Sequence, residues 1–472
     1  MHSAVAQGRF SYRLLCGFFL TVAIVPSFSG HDFQRVCQVL FGLCTLVFMS
    51  SFFARSRLRM PEIKGALIPV LSILVLGLLS SVLADKVSWA FAEYSLLILG
   101  VLIASSIALL RNRESEPSDR YFILYILLLC TLKIVQFLAS GVAAFSFNTG
   151  ILDTDTLLQG FSNKRFYGQF QTFTLPLLAL PLLIPALKHP AKMLVFSLLS
   201  GWWLIAITGG TRGTWLGMGV AAAVLAITGP SGRRWVAWQL AAMLCGLLLY
   251  WLLFSVLTGY LGIEVQNFAG DRMTTSLSGR ELIWWQAWDM TRQRPLLGFG
   301  PMHFADIANP VAAHPHQAIL QWASEWGVPS TLLVGWLVLR GLHGTFKLVG
   351  DTARSALTAD LLRVCLFASV LGALAQSMVD GVLVMPYSQL WLAIVVGWLM
   401  ALHVWKVHPV QVHPLVHWGW VGISVAATAW LMFVVIRDAP HLGERNERYA
   451  KEFGSYFQPR FWAQGIIAQR PE

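Results

Sequence analysis

Charge is what this chain has least of. Asp, Glu, Lys and Arg make up 12% of its 472 residues, against 56% hydrophobic residues. A soluble domain carries about twice that charged share, so a water-exposed globular body of this length is excluded. Cysteine is almost as scarce. The six present (Cys16, Cys37, Cys44, Cys130, Cys245 and Cys365) lie inside apolar runs without metal-type spacing, which argues against a disulfide framework or a thiolate metal site. Acidic residues are the rarer sign, 23 against 34 basic ones. The basic excess is spread over short loops rather than gathered into a stripe, so no nucleic-acid partner follows. Also missing is a short apolar segment followed by a small-residue cleavage site and a soluble body. The N-terminus therefore reads as a first span and not as a removed signal.

What the chain does have is hydrophobic length. Apolar runs of about 20 residues, each long enough to cross a bilayer as a helix, recur near 13–28, 33–54, 65–84, 88–110, 121–144, 168–187, 193–209, 213–228, 235–258, 329–345, 361–380, 387–405 and 416–436. They predict an all-α fold, a polytopic membrane protein with about 12–13 transmembrane helices and one large extracytoplasmic loop bearing short helices. On this reading residues 1–436 form the transmembrane domain, the loop spans 259–328, and 437–472 make a short tail on the outer side.

The connections alternate in charge. Arg13, Arg55, Arg57, Lys64, Arg111, Arg113, Lys188, Lys192, Arg233, Arg234, Lys347, Arg354 and Lys406 fall on one side, which the positive-inside rule makes cytoplasmic. Arg165, Arg212, Arg280, His314, His316 and Asp380 all fall on the other. Polar residues far apart in sequence yet on one face make a candidate site.

Each has a chemical reading and a plainer one. Arg212 lies in Gly209-Gly210-Thr211-Arg212-Gly213, a tight turn between spans where backbone amides and a guanidinium can reach one anion; the plainer reading is an arginine snorkelling from a helix end. Ser278-Gly279-Arg280-Glu281 matches a capping box and opens an amphipathic helix with Ile283, Trp284, Ala287 and Trp288 on its apolar face. Arg280 then sits in the first turn, where the macrodipole disfavours a cation but where arginine and helix N-terminus together bind phosphate well. His314-Pro315-His316 precedes a second short helix, stopped by Gly327 and Pro329. Pro315 suits the first helical position. His316 would follow in the first turn, kept neutral as a general base requires; ordinary loop histidines are the alternative. Two histidines without a nearby acid make a poor metal site, as do His403, His408, His413 and His417 on the opposite side. Arg165 opens the sixth span from the outside. Asp380 lies at a span end, where a carboxylate marks a functional candidate or the ion-pair partner of an arginine.

With those residues in view, the chain resembles the superfamily of bacterial inner-membrane glycosyltransferases that comprises O-antigen ligases, pilin-type O-oligosaccharyltransferases and O-antigen polymerases. The resemblance is strongest over 194–335. It runs through Thr211-Arg212-Gly213, Arg280 followed by Trp284, Pro295-Leu296-Leu297-Gly298-Phe299-Gly300, the histidine motif before Leu320, and Glu325-Trp326-Gly327. The family has Asn after its key histidine where this chain has Gln317. The resemblance implies a glycan donor linked through diphosphate to undecaprenol, presented at the periplasmic face of the inner membrane, and no metal or cofactor. Arg212 and Arg280 would bind the diphosphate, with Arg165 a third cation beside them. His316, or else His314, would activate the acceptor hydroxyl, and Asp380 matches a late acidic position. The implied acceptor is a Ser or Thr of a periplasmic protein such as type IV pilin, a lipid A-core, or a second glycan. An odd number of spans with an outer tail resembles the pilin-type branch more. The non-enzyme alternative is a transporter or flippase for an anionic lipid, which the one-sided cluster and the lack of an internal repeat disfavour. The tail, with Phe457, Phe461 and Trp462, reads as an interfacial amphipathic piece that decides little between these acceptors.

Overall fold

The computed structural model describes residues 2–25, 30–53, 59–61, 65–147, 150–272, 279–307, 309–403, 409–411, 414–454 and 456–467. In chain order the helices are α1 (His2–Val22), α2 (His31–Phe53), α3 (Leu67–Val82), α4 (Val87–Glu114), α5 (Glu116–Ser146), α6 (Lys164–Leu178), α7 (Leu180–Leu183), α8 (His189–Thr208), α9 (Arg212–Ala226) and α10 (Pro230–Trp251). A π-helical turn at Leu252–Leu257 carries α10 into α11 (Thr258–Leu261). There follow α12 (Arg280–Gln293), α13 (Ala318–Trp326), α14 (Val328–Asp351), α15 (Thr358–Ser377), α16 (Pro386–Leu402), α17 (Pro414–Asp438) and α18 (Leu442–Phe453).

The all-α polytopic architecture is as the hydrophobic runs predict. Eight described helices are long and apolar enough to cross a membrane: His31–Ser50, Val87–Glu114, Glu116–Ser146, His189–Thr208, Pro230–Leu261, Val328–Asp351, Thr358–Ser377 and Leu415–Glu452. Three of the remaining predicted spans are shorter apolar helices, Tyr12–Val22, Leu67–Val82 and Pro386–Leu402. The other two fall on α6 with α7 and on α9, and α6 is cut short where Pro176 and Pro181 remove backbone donors.

Two short ribbons cross-link the connections. β1 (Arg59–Pro61) pairs antiparallel with β4 (Pro409–Gln411), and β2 (Ile151–Asp153) pairs in parallel with β3 (Glu264–Gln266). Each ribbon joins two connections that the charge alternation puts on one side of the bundle.

The centre of the bundle is α6. Every residue from Phe166 to Leu178 is buried there, including Gln169, Gln171, Thr172 and Thr174. A helix this polar survives among apolar neighbours because they satisfy it. Gln171 donates to the Trp202 carbonyl, Trp202 Nε1 donates to Thr174 Oγ1, Ser388 Oγ donates to Gln169 Oε1, and Thr172 Oγ1 donates to Gln376 Oε1. Glycines allow the approach. A Cβ on Gly168 would lie 2.4 Å from Thr211 Oγ1, and one on Gly217 would lie 2.6 Å from the Gly372 carbonyl oxygen. Through these two contacts α9 is clamped between α6 and α15, as small residues do where no hydrophobic effect drives helices together.

Gly217→Leu is therefore expected to force α9 and α15 apart at a cost of about 1–3 kcal/mol. Gly219→Leu, whose Cβ would meet open space, should be neutral. Thermal midpoints of the two variants in detergent check this pair.

Candidate active site

At the end of the bundle where α6 and α9 begin and α15 finishes, three arginines stand at helix N-termini. Arg165 is the second residue of α6, and its N–H donates to the capping Asn163 side chain at 2.8 Å. Arg212 opens α9 just after Gly210, whose φ of 58° turns the chain out of α8. Arg280 opens α12 after Gly279 at φ 76°. Ser278, the expected cap, lies outside the described residues, and Gly279 holds the N-cap position instead. A cation in a first turn costs a few tenths of a kcal/mol against the macrodipole. Repeating that on three converging helices concentrates positive potential, and an anion would relieve it. The three share one field. Burial lowers the Arg280 pKa first, then repulsion from Arg165, with Asp380 opposing and Arg212 adding to the repulsion. Among the described residues, neither Arg165 nor Arg280 is held in an ion pair.

The buried face of α12 is Ile283, Ala287 and Met290, packed on Phe304 with Trp284 alongside. Trp288, expected on that face, is exposed, because the helix rotates its contact stripe toward 283, 287 and 290. Trp284 Nε1 donates to the Pro315 carbonyl at 3.0 Å, which ties the helix bearing Arg280 to the histidine turn.

That turn departs from expectation. Pro315 is not a first helical residue and His316 is not in a first turn, since α13 starts at Ala318. Gln317 is the cap: its side-chain oxygen accepts from the Leu320 N–H at 2.5 Å, which gives the amide after the histidine a physical task. His316 instead adopts φ 53°, a left-handed conformation that costs a non-glycine residue about 1–3 kcal/mol and persists where surroundings impose it. They do so here. The His316 N–H donates to His314 Nδ1 at 3.3 Å, and the two rings lie 4.1 Å apart. His314 packs on Gly381, where a Cβ would come within 2.5 Å of its ring.

Asp380 sits in the turn between α15 and α16, buried like both histidines. Its Oδ1 lies 3.7 Å from His316 Nδ1 and accepts from the Gly381 N–H at 2.8 Å, while Oδ2 accepts from Gln376 Nε2 at 3.2 Å. Gln376 in turn accepts from Thr172, so the carboxylate is anchored through α15 to α6. The sequence leaves Asp380 as a functional candidate or an arginine's partner; in the structure the group nearest its carboxylate that can carry positive charge is His316. Burial pushes the Asp380 carboxyl up, but His316 and the Gly381 amide outweigh it, and its pKa ends below the ordinary value. Burial lowers the His316 pKa, partly countered by Asp380 and reinforced by Arg165 and Arg280. His314 is held well below the usual imidazole range by burial, then by His316, Arg460 and Arg165. Both rings are thus neutral near pH 7 through burial and flanking cations rather than through a helix dipole.

The remaining motif residues are structural. Gly298 at φ 69° and Gly327 at φ 82° let 295–300 lie against the end of α13, where Phe299 N–H donates to the Ser324 carbonyl and Gly300 N–H to the Glu325 carbonyl. A Cβ on Gly298 would lie 2.4 Å from the Glu325 backbone. Among the described residues no three of His, Cys, Asp and Glu come together as metal ligands; His408 and His413 lie outside the described residues.

Sequence reasoning missed a second buried network beside the turn. Arg460 is completely buried, and its guanidinium lies 2.7 Å from Glu325 and 3.5 Å from Glu93. Phe461 and Trp462 are also buried, so this part of the tail belongs to the interior, whereas α18 before it is amphipathic and largely exposed. An arginine followed by two aromatic residues in a tail was the one available signal.

This geometry agrees with the comparison to known families. Residues 194–335 match the family model described as O-Antigen ligase, a stretch that runs from α8 into α14 and holds Arg212, Arg280, His314 and His316. Over that stretch, less than half of its length, the chain is similar to the O-antigen ligase family. Arg165 and Asp380 lie outside the matched stretch and join it only in space. A comparison with curated proteins finds no match for this chain.

Replacing Asp380 by Asn removes the negative charge that raises the His316 pKa. The acidic limb of the pH–activity profile should then move to lower pH while the maximal rate falls. A rate–pH series on the purified variant checks both directions.

Proposed function

We propose that the chain transfers a glycan from an undecaprenyl-diphosphate-linked donor to a hydroxyl acceptor at the periplasmic face of a bacterial inner membrane. One observation carries the reading: a buried, neutral His316 beside the ionised Asp380, facing arginines at three helix N-termini. Arg165, Arg212 and Arg280 would hold the diphosphate, a ligand whose charge offsets both the guanidiniums and the helix dipoles behind them. Asp380, near Nδ1, favours the tautomer that leaves the Nε2 lone pair free. His316 Nε2 would take the proton of the acceptor hydroxyl as its oxygen bonds to the anomeric carbon. The bond from that carbon to the phosphate oxygen breaks, and undecaprenyl diphosphate departs with its new charge stabilised by preorganised guanidiniums. His314, with Nδ1 already accepting the His316 N–H, orients the turn rather than serving as base. The cations supply the charge stabilisation, so transfer is expected to withstand EDTA.

For the acceptor, a Ser or Thr of a periplasmic protein such as type IV pilin is the first reading, supported by the span parity and by the tail packing beside the histidine turn. A lipid-borne acceptor such as lipid A-core is the second. In its favour is a cavity of about 270 Å³ between α4, α13 and α16, apolar along Leu96, Leu392 and Val396 and polar at Glu93, Gln321 and Gln389.

His316→Ala should lower transfer by about 10²–10⁴-fold and Arg280→Ala by about 10²-fold or more, each with normal membrane insertion. Parallel blots of pilin and lipopolysaccharide from a gene deletion complemented by each variant read activity and acceptor together. Near-normal product from either variant removes that residue from the mechanism. For sidedness, a cysteine at exposed Pro310 should react with an impermeant maleimide in cells whose outer membrane alone is opened; labelling only after the inner membrane is breached would reverse the topology.

A further inference from the structure

The proposed step uses none of the charged groups behind the histidine turn, yet they are among the most deeply buried in the protein. Arg460 and Glu325 are both 0% exposed, 2.7 Å apart. Around them the tail makes a continuous series of contacts. Tyr456 OH donates to the Val311 carbonyl at 3.3 Å, and Gln458 Nε2 donates to the Asn309 carbonyl at 2.8 Å. The Arg460 carbonyl accepts from His31 Nε2 and Arg35 Nη2, both at 3.1 Å. Trp462 Nε1 donates to Asp438, Ala463 N–H donates to Asp32, and Ile467 N–H donates to the Ala305 carbonyl. The tail is therefore bolted to α2 and α17 on one side and to 305–311 on the other.

What it holds leads directly to the histidines. Asn309, gripped through its carbonyl by Gln458, accepts the N–H groups of Val311 and Ala312 on its own side-chain oxygen and shapes the approach to His314. Glu325, gripped by Arg460, accepts the Phe304 N–H at 3.0 Å and lies on α13, the helix that starts two residues after His316. The amide of Gln321, one turn earlier on α13, also faces the Arg460 guanidinium at 3.2 Å. Nothing in a passive surface tail calls for a fully buried arginine held to α13 and, two residues before it, a glutamine held to the segment that enters the reactive turn.

We propose that residues 456–467 form a strap that sets the reactive position of the His314–His316 turn, with Gln458 and Arg460 as positioning residues for the transfer. The proposal rests on the glycan-transfer reading above. Gln458 fixes the entry to the turn and Arg460 fixes its exit through α13. Arg460 also contributes to the field at His314, whose other charged or titratable neighbours are His316, Arg165 and His31. His314 must stay neutral for Nδ1 to accept the His316 N–H, so charge at residue 460 and geometry of the turn are coupled.

Three variants of the full-length chain test this: Gln458→Ala, Arg460→Met and Glu325→Gln. Each is compared with the parent for transfer rate against pH and for affinity toward undecaprenyl diphosphate as the probe. Gln458→Ala should lower the rate by about 10-fold, the scale of a small misplacement, with probe affinity within about twofold of the parent. Loss of the Arg460 cation makes His314 easier to protonate, so the acidic limb should move to higher pH. Loss of the Glu325 anion leaves Arg460 with only the more distant Glu93 and should move that limb to lower pH. A strap that only stabilises the fold would lower protein yield without opposite shifts. Should Arg460→Met fail to accumulate, Gln458→Ala and Glu325→Gln decide the matter alone. A parental rate in Gln458→Ala, or an acidic limb unmoved in Glu325→Gln, overturns the proposal. His316→Ala separates the two readings: if it retains transfer, the reaction assignment has failed whatever the strap does.

Discussion

A bundle sunk in hydrocarbon must satisfy every polar group from within, since lipid offers no hydrogen bonds. In this protein that demand falls on α6, which is wholly buried from Phe166 onward yet carries Gln169, Gln171, Thr172 and Thr174. The neighbours that satisfy it, Trp202, Gln376 and Ser388, come from α8, α15 and α16. Their hydrogen bonds set the relative position of those helices, and the candidate site inherits its geometry from them. Gln376 is the link: it accepts from Thr172 on α6 and donates to Asp380 beside His316.

The same arrangement explains why the site is electrostatically unusual. Arg165, Arg212 and Arg280 occupy first turns, against the local preference of each helix. His316 holds a left-handed backbone that a bulky side chain rarely adopts. Such local costs are retained where a site needs them, and the surroundings here, a wholly buried helix and a buried tail, are stiff enough to impose them. Burial, with the nearby cations adding to it, keeps both imidazoles neutral. An acid–base group and an anion cradle thus arise from one packing solution.

Much of this was legible in the chain. Hydrophobic length announced the helices, and charge alternation brought Arg165, Arg212, Arg280, His314, His316 and Asp380 to one side before any coordinates. Other features were out of reach for a physical reason. Where α13 begins depends on Gln317 capping Leu320, and proline at 315 suggested an earlier start. Trp288 fits the helical period but not the contact, because Phe304 and Leu320 choose which stripe α12 buries. The tail read as an interfacial amphipathic piece, since nothing near Arg460 in sequence foretells Glu325 and Glu93 as its partners.

Composition and periodicity alone determined that this is a helical membrane protein with its polar chemistry gathered at one face, because hydrophobic length and loop charge act locally along the chain. Only the tertiary structure decided that Asp380 lies beside His316, that His316 takes a left-handed conformation ahead of a helix starting at Ala318, and that residues 456–467 pack against the segment leading to that turn. Those outcomes depend on contacts between segments up to hundreds of residues apart, and such contacts leave no periodic trace in a sequence.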